Sequence, residues 1–545
     1  MVTGQFVPGL IARKVKLEGM LLDLLTEVIS DLNPERGGGK ISVSAYDTAW
    51  VARVRKSEDT DRLAYPLALE WLLLNQSSDG SWGGNVTPAY NLLPSMAALL
   101  ALVKTPFQTR VTHLAAHKAE SFLRVELGQF QPETFESSGF ELLMPAMLKE
   151  LEEAGITFKF PGKEILLRLQ EHKLKLAHRE LIYSGTSSLS HSLEAFGPSL
   201  DFERLKALQA KNGGYGSSPA ATAAVLIYSP EWDSKAAGWL DELYLKSFLS
   251  GEAGRTAGSM PTAYPIDVFE VSWILYNLAH STVSLKQLPQ YMLGALTAWL
   301  EGSFTSEGVS ISRFSGFPPD SDDTGMALAT LKLAGSIYPC DSLFAFEETT
   351  HFACYHSERV VSIGANAHVL AALLSLSEQE KRLGYTRIEK VVNFLYSQRH
   401  TGGYWEDKWH LSPYYATACA VLALSRYHQS NSDRCLVPTL NWLLQTRNRA
   451  DGGWSSQAGN SGKSNIEETA YALQTLRALE RVVPGKTRQQ YMEALYGGNE
   501  YLWVQLEVKN YQLKSCLEEA PRLWRAKVLY TPLRIVEAAL LAALR

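Results

Sequence analysis

The chain has 545 residues, 46% of them hydrophobic and 20% charged, and its 57 Asp and Glu against 52 Lys and Arg give a formal charge of −5. That composition excludes a disordered chain, and the lack of a basic surplus points away from nucleic acid. Length alone predicts roughly three or four domains of about 150 residues.

At the N-terminus Arg13, Lys14, Lys16 and Glu18 break up the apolar residues, so no secretory leader is expected, nor an acid-free transit segment. Gly37-Gly38-Gly39-Lys40 lacks the spacing and the Ser/Thr of a phosphate loop and reads as a turn. A loose repeat then begins. Gln76-Ser77-Ser78-Asp79-Gly80-Ser81-Trp82 returns as Gln209-Ala210-Lys211-Asn212-Gly213-Gly214-Tyr215 and as Gln398-Arg399-His400-Thr401-Gly402-Gly403-Tyr404. A longer copy runs from Gln445 to Asp451-Gly452-Gly453-Trp454. Each reads as a helix end, a turn that Gly tolerates, and an aromatic folded back on the helix. The 13 Trp, 24 Tyr and 19 Phe supply these anchors with many to spare.

Between the turns the period is helical: Ala472, Leu473, Leu476 and Leu479 share one face after Glu467-Glu468-Thr469. Strand-like alternation is scarce. Helix pairs joined by Gly-rich turns predict an all-α fold of closed α/α rings, and the early and late copies predict two such barrels. Between them Gly302 to Ser321 reads as a loop leading into a helix. Cys340, Cys354, Cys419, Cys435 and Cys516 are odd in number and scattered, which favours free thiols in a reducing compartment. Cys354-Tyr355-His356 lacks further zinc ligands nearby and reads as core. The apolar run ending in Leu544 is too short to span a bilayer, so a soluble, cytoplasmic protein is expected.

The loop ends in Asp320-Ser321-Asp322-Asp323 before the helical Met326-Ala327-Leu328-Ala329. Three readings apply. Asp caps helix N-termini and suits the positive end of the dipole. Carboxylates at this spacing also hold Mg²⁺ or Ca²⁺. Alternatively, like-charge neighbours and burial keep a proton on the middle carboxyl, making it a Brønsted acid. Spacing alone leaves all three open.

Context adds a resemblance. Ser44-Ala45-Tyr46-Asp47-Thr48-Ala49-Trp50, the repeated turns and the Asp320–Asp323 cluster resemble the class II diterpene cyclases, copalyl-diphosphate-synthase-like enzymes of the microbial stand-alone type. His191-Ser192-Leu193-Glu194, Ser217 to Ala223, Asn366-Ala367-His368-Val369-Leu370, Asp407-Lys408-Trp409 and Glu467 to Tyr471 extend it in family order over nearly the whole chain. The resemblance implies two helical barrels, with residues 1–60 and 290–545 in one (β) and 61–289 in another (γ) inserted into it. No D-D-x-x-D motif of an ionising domain is present, so the diphosphate is expected to stay intact.

The implied reaction is an isomerisation: proton-initiated cyclisation of geranylgeranyl diphosphate to a bicyclic, labdane-type diphosphate. By motif match Asp322 is the acid, flanked by Asp320 and Asp323, with Asn366 bonding and orienting it. Lys173 and Lys408 match diphosphate-binding lysines, and Glu141 matches an acid on the Mg²⁺ side. His191 matches a histidine that positions water for the final deprotonation, but its family partner Asn is Thr262 here, leaving the terminating base open. A second departure follows Trp82, where Asn85 and Asn91-Leu92-Leu93-Pro94 replace acidic and Arg residues. Mg²⁺ is the implied cofactor and a downstream class I terpene synthase an implied partner. The alternatives are a farnesyl diphosphate cyclase making a drimane-type product and a non-catalytic α-toroid binding protein, marked by a solvated carboxylate cluster.

Overall fold

The computed structural model describes residues 6–84, 86–176, 179–249, 256–281, 285–355, 358, 360–427, 432–456, 462–518 and 520–545. Asn85 and His356, both singled out above, lie outside the described residues.

Six helices form a closed ring. Asp267–Ala279 packs on Ser321–Ala334, then come Ile363–Leu373, Pro413–Leu424, Ile466–Ala478 and Leu533–Leu544, which returns to Asp267–Ala279. The segment Ala472 to Leu479 belongs to this ring, yet burial there extends all round: every residue from Ile466 to Leu476 is buried. An inner helix has ring neighbours on both flanks, the lumen in front and an outer helix behind, so no face is left for water. Outer helices such as Tyr385–Ser397 and Arg488–Val508 pack against it and carry the polar faces.

A second, smaller ring closes through Ala45–Val51, Leu92–Lys104, Phe140–Glu153, the 3₁₀ segment Ser188–Ala195 and Pro219–Tyr228. The crossing points differ from the expected 60 and 290. Ala45–Val51 lies in the second core and Asp267–Ala279 in the first. The chain passes between the barrels where Val43–Ser44 pairs antiparallel with Met260–Pro261, so one two-stranded ribbon marks both crossings. Nothing in local composition distinguishes two helices that are both buried on nearly every side.

The repeated turns act as expected, with one shift of register. Gly80, Gly213, Gly403 and Gly452 all have φ between +88° and +100°. A Cβ on Gly403 would sit 2.6 Å from the Pro438 carbonyl, so only glycine fits. Two residues after each comes the anchor. The indoles of Trp82, Trp405 and Trp454 donate to the carbonyls of Leu72, Leu395 and Leu443 at 2.7–2.9 Å. In the third copy the anchor is therefore Trp405, and Tyr404 instead stacks on His400 and Trp442. Each anchor's backbone N–H donates to a hydroxyl in the next inner helix: Ser95, Thr222, Thr417 and Thr469. All five cysteines are free thiols.

The barrels are stitched face to face. Ser138 N–H donates to Ala526 O at 2.9 Å, Ser137 Oγ to Lys527 O at 2.7 Å, and Ser217 N–H to Ser315 O at 3.1 Å. The N-terminal ends of inner helices from both rings meet at this seam, and the candidate site lies there.

Candidate active site

Asp320 is the N-cap of Ser321–Ala334. Its Oδ1 accepts from the backbone N–H groups of Asp322 and Asp323 at 2.9 and 2.8 Å, and its Oδ2 accepts from Tyr355 Oη at 2.9 Å. Capping thus accounts for one carboxylate of the three. Burial, then the charge of Asp322, still push Asp320 up to about 7. Asp323 is buried, and burial, then the charges of Asp320 and Asp322, push its carboxyl well above the usual carboxylate range.

Asp322 sits differently. Its Oδ1 lies 2.6 Å from His368 Nδ1, and its side chain, 18% exposed, lines an internal cavity. Among the described residues its other oxygen has no hydrogen-bond partner. Burial opposes charging His368, yet the Asp322 carboxylate carries the imidazole up to about 10. Asp322 therefore faces an imidazolium that donates to one oxygen and leaves the other open.

This corrects the role expected of Asn366. Its Oδ1 accepts from Phe352 N–H and its Nδ2 donates to the carbonyls of Phe352 and Ser362, all at 2.9 Å, so it staples a loop and does not touch Asp322. Successive residues of an α-helix turn by about 100°, so positions 366 and 368 point about 200° apart. Only one of them faces Asp322. Gly325 makes the approach close: a Cβ there would come within 3.0 Å of Val369 N and 3.1 Å of the His368 carbonyl carbon.

The cavity holds about 240 Å³, and Phe269, Trp273, Phe317, Tyr415, Trp524 and Tyr530 make its apolar walls. His191 and Thr262 line it as well. His191 Nδ1 lies 2.7 Å from Gly216 O; a carbonyl only accepts, so Nδ1 carries the hydrogen and Nε2 is the open nitrogen. Thr262 Oγ1 is buried without a partner among the described residues.

A second, polar cavity of about 250 Å³ adjoins the first, sharing Lys173, Tyr355, Trp409 and Arg525 as wall. Glu141, Lys408 and Glu358 line it. Lys408 is ion-paired with Glu358, whose Oε1 also accepts from Cys354 N–H at 3.0 Å. The structure thus brings Asp320, Asp322, Asp323, His191 and Thr262 to one chamber, and Lys173, Lys408 and Glu141 to its polar neighbour. Sequence reasoning missed His368, Tyr355, Glu358 and Arg525. Two of these were within its reach, because His368 lay in a quoted motif and Tyr355 in the triplet read as plain core.

Among the described residues no three His, Cys, Asp or Glu side chains group to hold a metal ion. The polar cavity nevertheless suits Mg²⁺ bound with a diphosphate, where one or two carboxylates suffice because phosphate and water oxygens complete the octahedron. Glu141, buried in the first turn of Phe140–Glu153, is such a carboxylate.

Residues 359–504 match the model of the squalene-hopene cyclase C-terminal domain. The chain is 31% identical to the phyllocladan-16-alpha-ol synthase of Phomopsis amygdali over 97% of its own length, but spans only 54% of that protein. It is 32% identical to an ent-copalyl diphosphate synthase of a Streptomyces species, over 96% of this chain and 94% of the relative. The solved structure of ent-copalyl diphosphate synthase from Streptomyces platensis superposes with a TM-score of 0.78 at 27% identity, covering 97% of this chain and 99% of that one. By its two closed rings, its buried acid cluster and this full-length likeness, the chain belongs to the class II diterpene cyclases of the copalyl diphosphate synthase type.

Proposed function

We propose that this protein cyclises geranylgeranyl diphosphate to a bicyclic labdane-type diphosphate by protonating its terminal alkene. One observation carries the reading: the open oxygen of Asp322 faces an aromatic-walled chamber that shares a wall with a cavity bearing Lys173, Lys408 and Arg525. A solvated carboxylate cluster, the mark of a non-catalytic toroid, is not what the geometry presents.

An alkene is a very weak base, so its protonation needs a strong acid and no competing water. His368, donating from Nδ1 to Asp322 Oδ1, stabilises the conjugate base that remains once the proton has left. The proton passes from the open Asp322 oxygen to the terminal alkene carbon, leaving a tertiary cation. Each ring then closes as the next alkene gives its π electrons to that cation. The faces of Trp273, Phe317 and Trp524 stabilise positive charge without attacking it. A final C–H bond yields its electrons to a new alkene and its proton to a base, so the product is an isomer of the substrate.

The diphosphate lies in the polar cavity beside Lys173, with Lys408 available once Glu358 yields. Glu141 is the residue we assign to Mg²⁺, which when bound neutralises diphosphate charge. Because the C–O bond survives, the product calls for a downstream class I synthase that ionises it. Among the described residues no helix is long and apolar enough to cross a membrane. A reducing, cytoplasmic setting suits the five free thiols and is part of this proposal.

The test is incubation with geranylgeranyl or farnesyl diphosphate and Mg²⁺, then dephosphorylation and mass spectrometry. A bicyclic diterpene alcohol is expected from wild type and none from a folded Asp322→Ala variant. No bicyclic product from either substrate overturns the reading.

A further inference from the structure

Lys527 is a buried lysine that the chemistry above leaves unused. It sits in the turn between Trp524–Arg525 and Leu529–Tyr530, whose flanking residues pack in the first barrel, yet its side chain enters the second. There its Nζ donates to His191 O at 2.7 Å, Glu194 Oε1 at 2.8 Å and Ser218 Oγ at 2.6 Å. All three hydrogens are spent. Tyr46 Oη donates to the same Glu194 oxygen at 3.0 Å, and Asp47, which accepts from Ala220 N–H, completes the buried ring of charge.

These contacts bear on His191 from one side while the chamber bears on it from the other. Its Nδ1–H is spent on Gly216 O, its own carbonyl is held by the ammonium, and Phe317 meets its ring edge-on at 5.5 Å. The charged groups around it are Lys527 from the C-terminal turn, Glu194 from its own segment, Asp47 behind, and Lys173, Arg525 and the Asp320–Asp323 cluster around the cavity. We propose that Lys527 is a positioning residue: by holding the His191 backbone carbonyl it keeps the imidazole seated on Gly216 O with Nε2 bare, so that acid and base coexist in one chamber.

The problem it solves is specific to a proton-initiated reaction. Beyond His368, which already carries its proton, a second basic imidazole within the chamber would take the proton that Asp322 must deliver to the alkene. Burial and then the Lys527 charge push His191 down to about 3, against the pull of its bond to Gly216. His368, facing Asp322 and distant from any such lysine, is pushed the other way. Two imidazoles of one site are thus held in opposite charge states. A base this weak still accepts a proton from a carbocation, directly or through a water on Thr262, and returns it to water at once.

This inference rests on the cyclase reading for its purpose, but its first test needs no substrate. In ¹⁵N NMR of the wild-type protein, with His191 assigned by loss of its signal in His191→Gln, the ring is expected to show bare Nε2 and no titration down to pH 5. Protonation of His191 above pH 5 overturns the proposal. In the charge-neutral pair Lys527→Met with Glu194→Gln, His191 is expected to titrate upward by about one unit or more. An unmoved titration in the folded pair overturns the proposal. With substrate, the pair is expected to lose turnover more steeply than wild type as pH falls from 7 to 5. Parallel pH profiles would refute the positioning role even if cyclisation itself is confirmed.

Discussion

Replacing His368 by Phe tests the assignment of the acid's partner. Phe keeps a ring at this buried position but is larger and leaves Asp322 without its partner, so the stability change must be read separately from the rate. What is removed is the 2.6 Å charge-assisted bond from Nδ1 to Asp322. Such bonds contribute about 1.5–3 kcal/mol. If that stabilisation belongs to the transition state, where Asp322 becomes anionic, turnover should fall roughly 10-fold to 150-fold at 1.36 kcal/mol per decade. The assay is single-turnover conversion of geranylgeranyl diphosphate, with thermal unfolding alongside. Asn366→Leu provides the contrast. It strands backbone groups of Phe352 and Ser362, each buried loss costing about 1–3 kcal/mol, so Tm should drop before any rate effect specific to chemistry appears. A His368→Phe enzyme with more than a third of wild-type turnover would refute the argument.

Tyr355→Phe removes a donor to Asp320 and should raise the apparent pKa of the acid limb of the rate profile; an unshifted profile would show that Tyr355 only packs. Gly403→Ala places a Cβ 2.6 Å from the Pro438 carbonyl at φ +94°, and should lower stability by at least about 1–3 kcal/mol in denaturant titration. Burial, then Glu27 and Glu270, hold the Glu537 carboxyl up at about 7 against Lys40 and Arg534. A raised carboxyl binds more protons in the native state, so its stabilisation is present near pH 5 and lost as pH rises through 7. Glu537→Gln should therefore flatten the fall in Tm between pH 5 and 8, and an unchanged slope would contradict the assignment.

Much of this molecule was legible in one dimension because its local rules are stiff. Glycine at φ near +94° followed two residues later by a buried aromatic leaves a short, repeated signature, and four copies of it, three of them with an indole bonded to the preceding helix, announced helical rings. Asp320 as an N-cap followed equally from local chemistry, since its partners lie two and three residues away. What the tertiary structure alone decided are relations between distant segments. Asn366 and His368 are near-neighbours in sequence, and only the packing of Gly325 against Val369 selects which one meets Asp322. The barrel boundaries moved because two helices buried on every side carry no mark of which ring buries them. Lys527 reads as a surface charge until the C-terminal turn carries it across the seam to His191, 336 positions away. Capping and turns depend on neighbours along the chain, whereas acid strength and base neutrality depend on charges that folding brings together through space.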